Sequence, residues 1–131
     1  MGYSKKRFEE LHAELVVHER ELLSLKRGEY TEADEDCISN FRQLADFEGR
    51  SPEEVCLTLT IKHIQSIQRA ISTGAYSFSW WNEKTGSEGL KQRIADARNY
   101  LALLAAVLDD KEMKKAVLDD KEMKKEEKRW E

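Results

Sequence analysis

Arg93-Ile94-Ala95-Asp96-Ala97-Arg98-Asn99-Tyr100-Leu101-Ala102-Leu103-Leu104 sets an acid, an amide and a phenol beside an apolar seam. Residues three and four apart share one face of a helix, so Asp96, Asn99 and Tyr100 form a compact polar cluster. Around them Leu90, Ile94, Ala97, Leu101, Leu104 and Leu108 recur at alternating spacings of four and three. That is the pattern of a bundle helix, and it predicts an all-α fold. A polar cluster on such a helix is either a satisfied structural network or the floor of a binding site.

Composition agrees with the helical reading. Across 131 residues, 37% are charged and 40% apolar, with one proline and six glycines. This predicts one core domain at residues 1–109 and a charged helical tail at 110–131. The longest apolar run, Tyr100 to Leu108, is about half the length of a membrane span. Lys5-Lys6-Arg7 is followed by Phe8-Glu9-Glu10 rather than an apolar block, so no secretory signal is read and a cytoplasmic location is expected. Cys37 and Cys56 lack metal or CxxC spacing and are expected as buried fillers. A net charge of −4, with no face gathering the basic residues, argues against a nucleic-acid partner.

Four helices are predicted, near 4–27, 33–48, 52–72 and 87–110. Ser4 caps the first, whose seam of Phe8, Leu11, Leu15, His18, Leu22 and Leu25 ends at Gly28. His18 stands out there, as a core-edge histidine bonded to a neighbouring helix or as a ligand contact. The acidic run Glu29 to Asp36 suits the dipole at the start of helix two, and a stacked Glu29, Glu32 and Glu35 would alternatively hold magnesium. Helix two buries Ile38, Phe41 and Ala45 and stops at Gly49. Ser51-Pro52-Glu53-Glu54 is a capping box that opens helix three. Its expected seam is Leu57, Thr60, Ile64, Ile67 and Ile71. The adjacent face of Val55, Leu59, Lys62, Ser66 and Arg69 begins apolar and ends cationic, with Lys62 and Arg69 two turns apart to grip a pyrophosphate or simply meet solvent.

Gly74 to Gly86 holds four of the chain's eleven aromatics: Tyr76, Phe78, Trp80 and Trp81. Such a loop packs back on the core, meets another subunit, or stacks on a planar ligand. Alternating Tyr76, Phe78 and Trp80 also suggest a short strand pairing with a symmetry mate, with Thr85 or Ser87 capping helix four. The decapeptide Ala-Val-Leu-Asp-Asp-Lys-Glu-Met-Lys-Lys occupies 106–115 and again 116–125. Ten residues rotate the second copy by about 80°, so it cannot extend the seam and reads as a solvated extension, with Trp130 its candidate contact. The long seams of helices one and four, with the aromatic loop, lead to the expectation of a homo-oligomer, at least a dimer.

Taken together, Glu29-Tyr30, Asn40-Phe41-Arg42, Lys62, Arg69, Asp96 and Asn99-Tyr100 resemble a group of small uncharacterised bacteriophage proteins over about residues 20–108. Those proteins look like distant relatives of the MazG-type all-α nucleotide pyrophosphohydrolases, whose last core helix carries Glu-x-x-Asp before a tyrosine and a leucine-rich run. The resemblance implies a four-helix MazG-like bundle in a bacterial cytoplasm. Two departures stand out. Arg93 occupies the place of the family's glutamate, and Thr31 stands where the phage proteins commonly have glycine. With no Glu-x-x-Glu pair on a long core helix, the magnesium cage that activates water is incomplete.

The resemblance therefore implies a protein that binds a nucleotide or nucleotide-derived signal, sequestering it from a host defence pathway, without efficient hydrolysis and with no cofactor. Asn40, Arg42, Lys62, Arg69, Asp96, Asn99 and Tyr100 would line the pocket, with Trp80 or Trp81 stacked on a base. The alternatives are a magnesium-dependent nucleotide pyrophosphohydrolase using Glu29, Glu32, Glu35 and Asp96, and a structural or protein-interaction module working through the aromatic loop.

Overall fold

Helices account for most of the chain in its computed structural model, which describes residues 2–30 and 36–129, with the side chains of 23–30 left out. In order they are α1 (Lys5–Tyr30), α2 (Ser39–Glu48) and α3 (Pro52–Thr73), then a minimal hairpin of β1 (Trp81–Asn82) and β2 (Ser87–Glu88), then α4 (Leu90–Arg129). The all-α expectation holds apart from that hairpin, in which Trp81 pairs with Glu88 and Asn82 with Ser87.

Local chemistry sets most of the boundaries. The Ser4 hydroxyl accepts from the Arg7 amide at 3.0 Å and opens α1. Gly49 ends α2 at φ 67, where a side chain would be strained. The capping box at Ser51 is complete, its hydroxyl taking the Glu54 amide while the Glu54 carboxylate returns to the Ser51 amide. Four expectations need correction. α1 runs through Gly28 to Tyr30, because an isolated glycine is tolerated inside an otherwise favourable helix. α2 starts at Ser39, with Asp36 Oδ1 accepting from the Ile38 amide in the turn before it. Tyr76, Phe78 and Trp80 form no strand; β1 begins one residue later and pairs within the chain. Neither Thr85 nor Ser87 caps α4, since their hydroxyls bond each other at 2.6 Å. Instead the backbone of the aromatic loop receives the first amides of α4: Gly89 gives to Trp80 O at 3.0 Å, Leu90 to Ser77 O at 2.8 Å and Lys91 to Ser79 O at 3.2 Å.

α4 is the axis of the molecule, 40 residues long and so about 60 Å from end to end. α3 lies antiparallel to it, with Glu53 bonded to Lys111 and Cys56 near the Tyr100 carbonyl. α1 runs parallel on another flank through Glu14–Lys91, His18–Gln92 and Glu19–Arg98. α2 closes one side of the α3–α4 pair. There Ile38, Phe41, Ala45, Val55, Cys56 and Val107 form the core, joined by Leu59, Tyr100, Leu103 and Leu104. Arg42 ties this end down, reaching Asp36 and, at 3.0 Å, Asp110. The Lys114 ammonium, and after it the Arg42 guanidinium, hold the Asp110 carboxyl below its ordinary range.

The face that α3 buries is not the one its large residues suggest. Val55, Cys56, Thr60 and Ala70 are buried, whereas Leu57, Ile61, Ile64 and Ile71 stay 44–58% exposed. Small residues let α3 and α4 approach closely, and the bulky aliphatics are left outside. α4 does likewise: Ala95 and Ala97 are buried while Leu101 and Leu108 are half exposed. Beyond Asp110 every described residue of α4 is exposed, as a solvated extension requires, with i,i+4 pairs Asp110–Lys114 and Asp120–Lys124 along it. The helix crosses the 109/110 boundary without a break. Trp130 lies outside the described residues. Among the described residues, no helix is long and apolar enough to cross a membrane.

The cysteines separate sharply. Cys56 is fully buried and burial pushes its thiol up to about 11, while Cys37, expected as a filler, is exposed in the turn before α2. Only a thiolate is an efficient nucleophile. At pH 8 iodoacetamide should therefore add once to the native protein, at Cys37, and a second time only in denaturant. Intact-mass spectrometry reads both additions directly, and equal reaction of the two thiols in the native state would contradict the burial of Cys56.

Candidate functional site

Gln92, Asp96, Asn99 and Leu103 follow one another at spacings of four, three and four along α4, so they share a face. α3 meets α4 here through Cys56, near the Tyr100 carbonyl, and through His63 against the Tyr100 ring; α1 meets it through His18–Gln92 and Glu19–Arg98. The result is a polar floor beneath two helical walls, with Phe41 of α2 at one end against Tyr100. Asp96 is 4% exposed and Asn99 3%. Polar groups are not buried this deeply without partners or purpose.

A relay enters the floor from the α1 side. Gln92 Nε2 donates to Asp96 Oδ1 at 3.3 Å, which turns the amide oxygen Oε1 toward His18 Nε2 at 2.6 Å. An amide oxygen only accepts, so in this arrangement Nε2 carries the imidazole proton. The His18 ring stacks on Trp80 with centroids 3.7 Å apart. Trp80 Nε1 donates to Glu14 Oε1 at 3.1 Å, and Lys91 reaches the same oxygen at 3.0 Å. Those two bonds hold the Glu14 carboxyl below its usual range, Lys91 contributing most. On the other wall His63 lies 4.4 Å from Tyr100, whose ring meets Phe41 edge-on at 6.4 Å.

Two buried atoms are left over. Among the described residues Asn99 Nδ2 has no hydrogen-bond partner, and Glu19 Oε1 is ion-paired with Arg98 without an aligned hydrogen bond. A buried donor without an acceptor costs about 1–3 kcal/mol. Asn99 therefore places a buried amide donor on this face with no acceptor among the described residues.

The expected site residues are distributed unevenly. Asp96 and Asn99 are buried on one face of α4, while the Tyr100 ring turns to His63 and Phe41. Lys62 and Arg69 are exposed on α3, further along the face whose first members, Val55 and Leu59, pack into the α2 core. Asn40 is half-buried in the first turn of α2. Arg42 is engaged by two aspartates at the far end of that helix's contact with α4, away from the floor. Trp80 is committed to His18 and Glu14, so of the two tryptophans only Trp81, 55% exposed, presents an open ring. Glu29 lies in α1 with its side chain not described, and Glu32 and Glu35 lie outside the described residues. Among the described residues no three of His, Cys, Asp and Glu gather to hold a metal.

His63, Glu19 and Gln92 were not legible as site residues. Gln92 stands four before Asp96 and His63 three after Thr60, so helical spacing alone carried the signal. A second groove, of about 590 Å³, opens where Pro52 and Ile38 meet Val107 and Leu118. Three of its four lining cations are paired, Arg42 and Lys114 with Asp110 and Lys111 with Glu53, which leaves Lys115 for a phosphate. Comparison with protein-family models, with curated proteins and with solved structures finds none that matches this chain.

Proposed function

We propose that this chain is a MazG-like, phage-type protein that binds a phosphate-bearing nucleotide, or a signal derived from one, over the Gln92–Asp96–Asn99 floor between α1 and α3. One observation carries the reading: the buried Asn99 amide nitrogen, unpartnered among the described residues, beside the buried Asp96. A protein keeps such a donor at a stability cost when something else supplies the acceptor. Base carbonyls, ribose hydroxyls and phosphate oxygens all qualify. Lys62 and Arg69 are exposed on α3 about half a turn from the buried Thr60, so they would serve phosphates that reach around the α3 wall rather than groups over the floor itself. Arg93, standing where a MazG-type hydrolase has a glutamate, supports retention over cleavage, and sequestration of a host signal is the use that retention would serve.

Titration calorimetry against nucleoside mono-, di- and triphosphates and cyclic dinucleotides, with and without magnesium, tests this. Binding of one class without release of phosphate is the expected result. Lys62→Glu should weaken that binding tenfold or more with an unchanged melting temperature, because the contact is absent from the free fold. Asn99→Leu, of similar volume, should lose binding while the free protein melts no lower than the parent. If no nucleotide binds, or both variants bind as the parent does, the reading fails. Magnesium-dependent phosphate release would make the protein a hydrolase instead.

A further inference from the structure

α2 covers one side of the α3–α4 pair, and among the described residues the opposite side is left open. On α3 the open side carries Leu57, Ile61, Ile64 and Ile71; on α4 it carries Leu101 and Leu108, each of the six between 44% and 58% exposed. Helical geometry puts them on one surface. Relative to the buried Thr60, the four α3 residues lie within about 100° on a single flank, while Val55 and Leu59 lie on the other, against α2. Leu101 and Leu108 likewise lie more than about 90° around α4 from Leu103 and Val107, which α2 covers.

The α3 half of the surface is also free of charge. From residue 55 to residue 73 α3 has no acid and only Lys62 and Arg69 as cations, both turned well away from the stripe. A lipid surface or an acidic segment would call for a basic fringe here, and none is provided. Total exposure points the same way. A compact monomer of this mass exposes about 7,100 Å², whereas this chain of 15.3 kDa exposes 10113 Å². The projecting end of α4 and this face both contribute to the excess of about 3,000 Å². A stable dimer needs to remove only about 800 Å² from each partner.

We infer that the occupant of this face is a second copy of the chain, docked about a two-fold axis so that two α3–α4 pairs form an intermolecular four-helix bundle. Such an interface is isologous: each copy presents the same apolar two-helix surface, and bulky side chains on one insert between those of the other. It also accounts for the division of labour within each helix. Small residues bring α3 to α4 inside the protomer, and large aliphatics, otherwise wasted on solvent, join the protomers.

Sedimentation or light scattering of the intact protein at micromolar concentration should give twice the chain mass of 15.3 kDa. Ile64→Glu and Leu101→Glu, each on a residue about half exposed in the protomer, should give a helical species of single-chain mass. Phe8→Glu on α1 and a Val117→Glu, Leu118→Glu pair on the projecting helix, outside this face, should leave the dimer intact. Hydrogen exchange of the parent, which needs no variant, should show amides of 57–71 and 97–108 gaining protection as concentration rises from nanomolar to micromolar. A single-chain mass for the parent overturns the inference. So does a dimer that survives Ile64→Glu but not the pair on the projecting helix. Neither result bears on nucleotide binding, which is read separately.

Discussion

Phe41→Ala should cost about 3–5 kcal/mol of unfolding free energy, the largest single loss expected from a side-chain truncation in this chain. The ring is 2% exposed and sits in the cluster with Ile38, Ala45, Val55, Cys56 and Val107. Its edge meets Tyr100 at an interplanar angle of 75°, the geometry in which aromatic pairs gain beyond their buried area. Removing it leaves a cavity at the only place where α2, α3 and α4 meet through buried apolar side chains among the described residues. Phe41→Leu, which keeps most of the volume, should cost about 1 kcal/mol. Urea unfolding at a fixed protein concentration, which holds any association constant, measures both. A loss below 1 kcal/mol for the alanine variant would mean that the ring does not fill this core.

Gly89→Ala should be nearly as damaging, by about 3 kcal/mol, through close approach rather than backbone conformation. A Cβ there would lie 1.8 Å from the Ser79 carbonyl oxygen and 2.5 Å from its carbon. These are backbone atoms that cannot swing aside. To relieve the overlap the aromatic loop must leave the start of α4, which breaks the bonds that Trp80 O, Ser77 O and Ser79 O accept from the first amides of the helix. Trp80 would move with the loop, losing its stack on His18 and its bond to Glu14, and with them part of the attachment of α1. Near-ultraviolet dichroism and tryptophan fluorescence should report a freed indole while the far-ultraviolet signal falls only modestly. A native spectrum and an unchanged melting temperature would contradict the close packing of Gly89.

The aromatic loop thus has a structural role that its composition left open. Of the three uses read from the residues, packing back onto the core is the one that Trp80 fulfils. Tyr76, Phe78 and Trp81 remain about half exposed, and Lys91 lies 5.1 Å from the Phe78 ring and 5.3 Å from that of Trp80. His18 likewise resolves to the interhelical bond, since its Nε2 is taken by Gln92 and its face by Trp80. What the two residues do together is join α1 to the first turns of α4, the wall and the floor of the candidate site.

Short-range chemistry was legible in the residues themselves. Ser4, Gly49 and Ser51-Pro52-Glu53-Glu54 each placed a helix end within the reach of one or two hydrogen bonds, and the 3.6-residue period placed Asp96, Asn99 and Tyr100 together before any tertiary contact was known. Which apolar face turns inward was not legible, because α3 and α4 are apolar on more than one side and periodicity does not rank two such sides. Leu57, Ile64 and Leu101 belong to the strongest seams on paper. Yet burial went to Val55, Cys56, Ala95 and Ala97, since close approach of two helices depends on small side chains at the crossing and on where α2 lands. The same long-range packing turned Arg42 from a prospective ligand contact into a tie between Asp36 and Asp110. It also brought Gln92, His18 and His63, distant in sequence, to the walls and floor around Asn99.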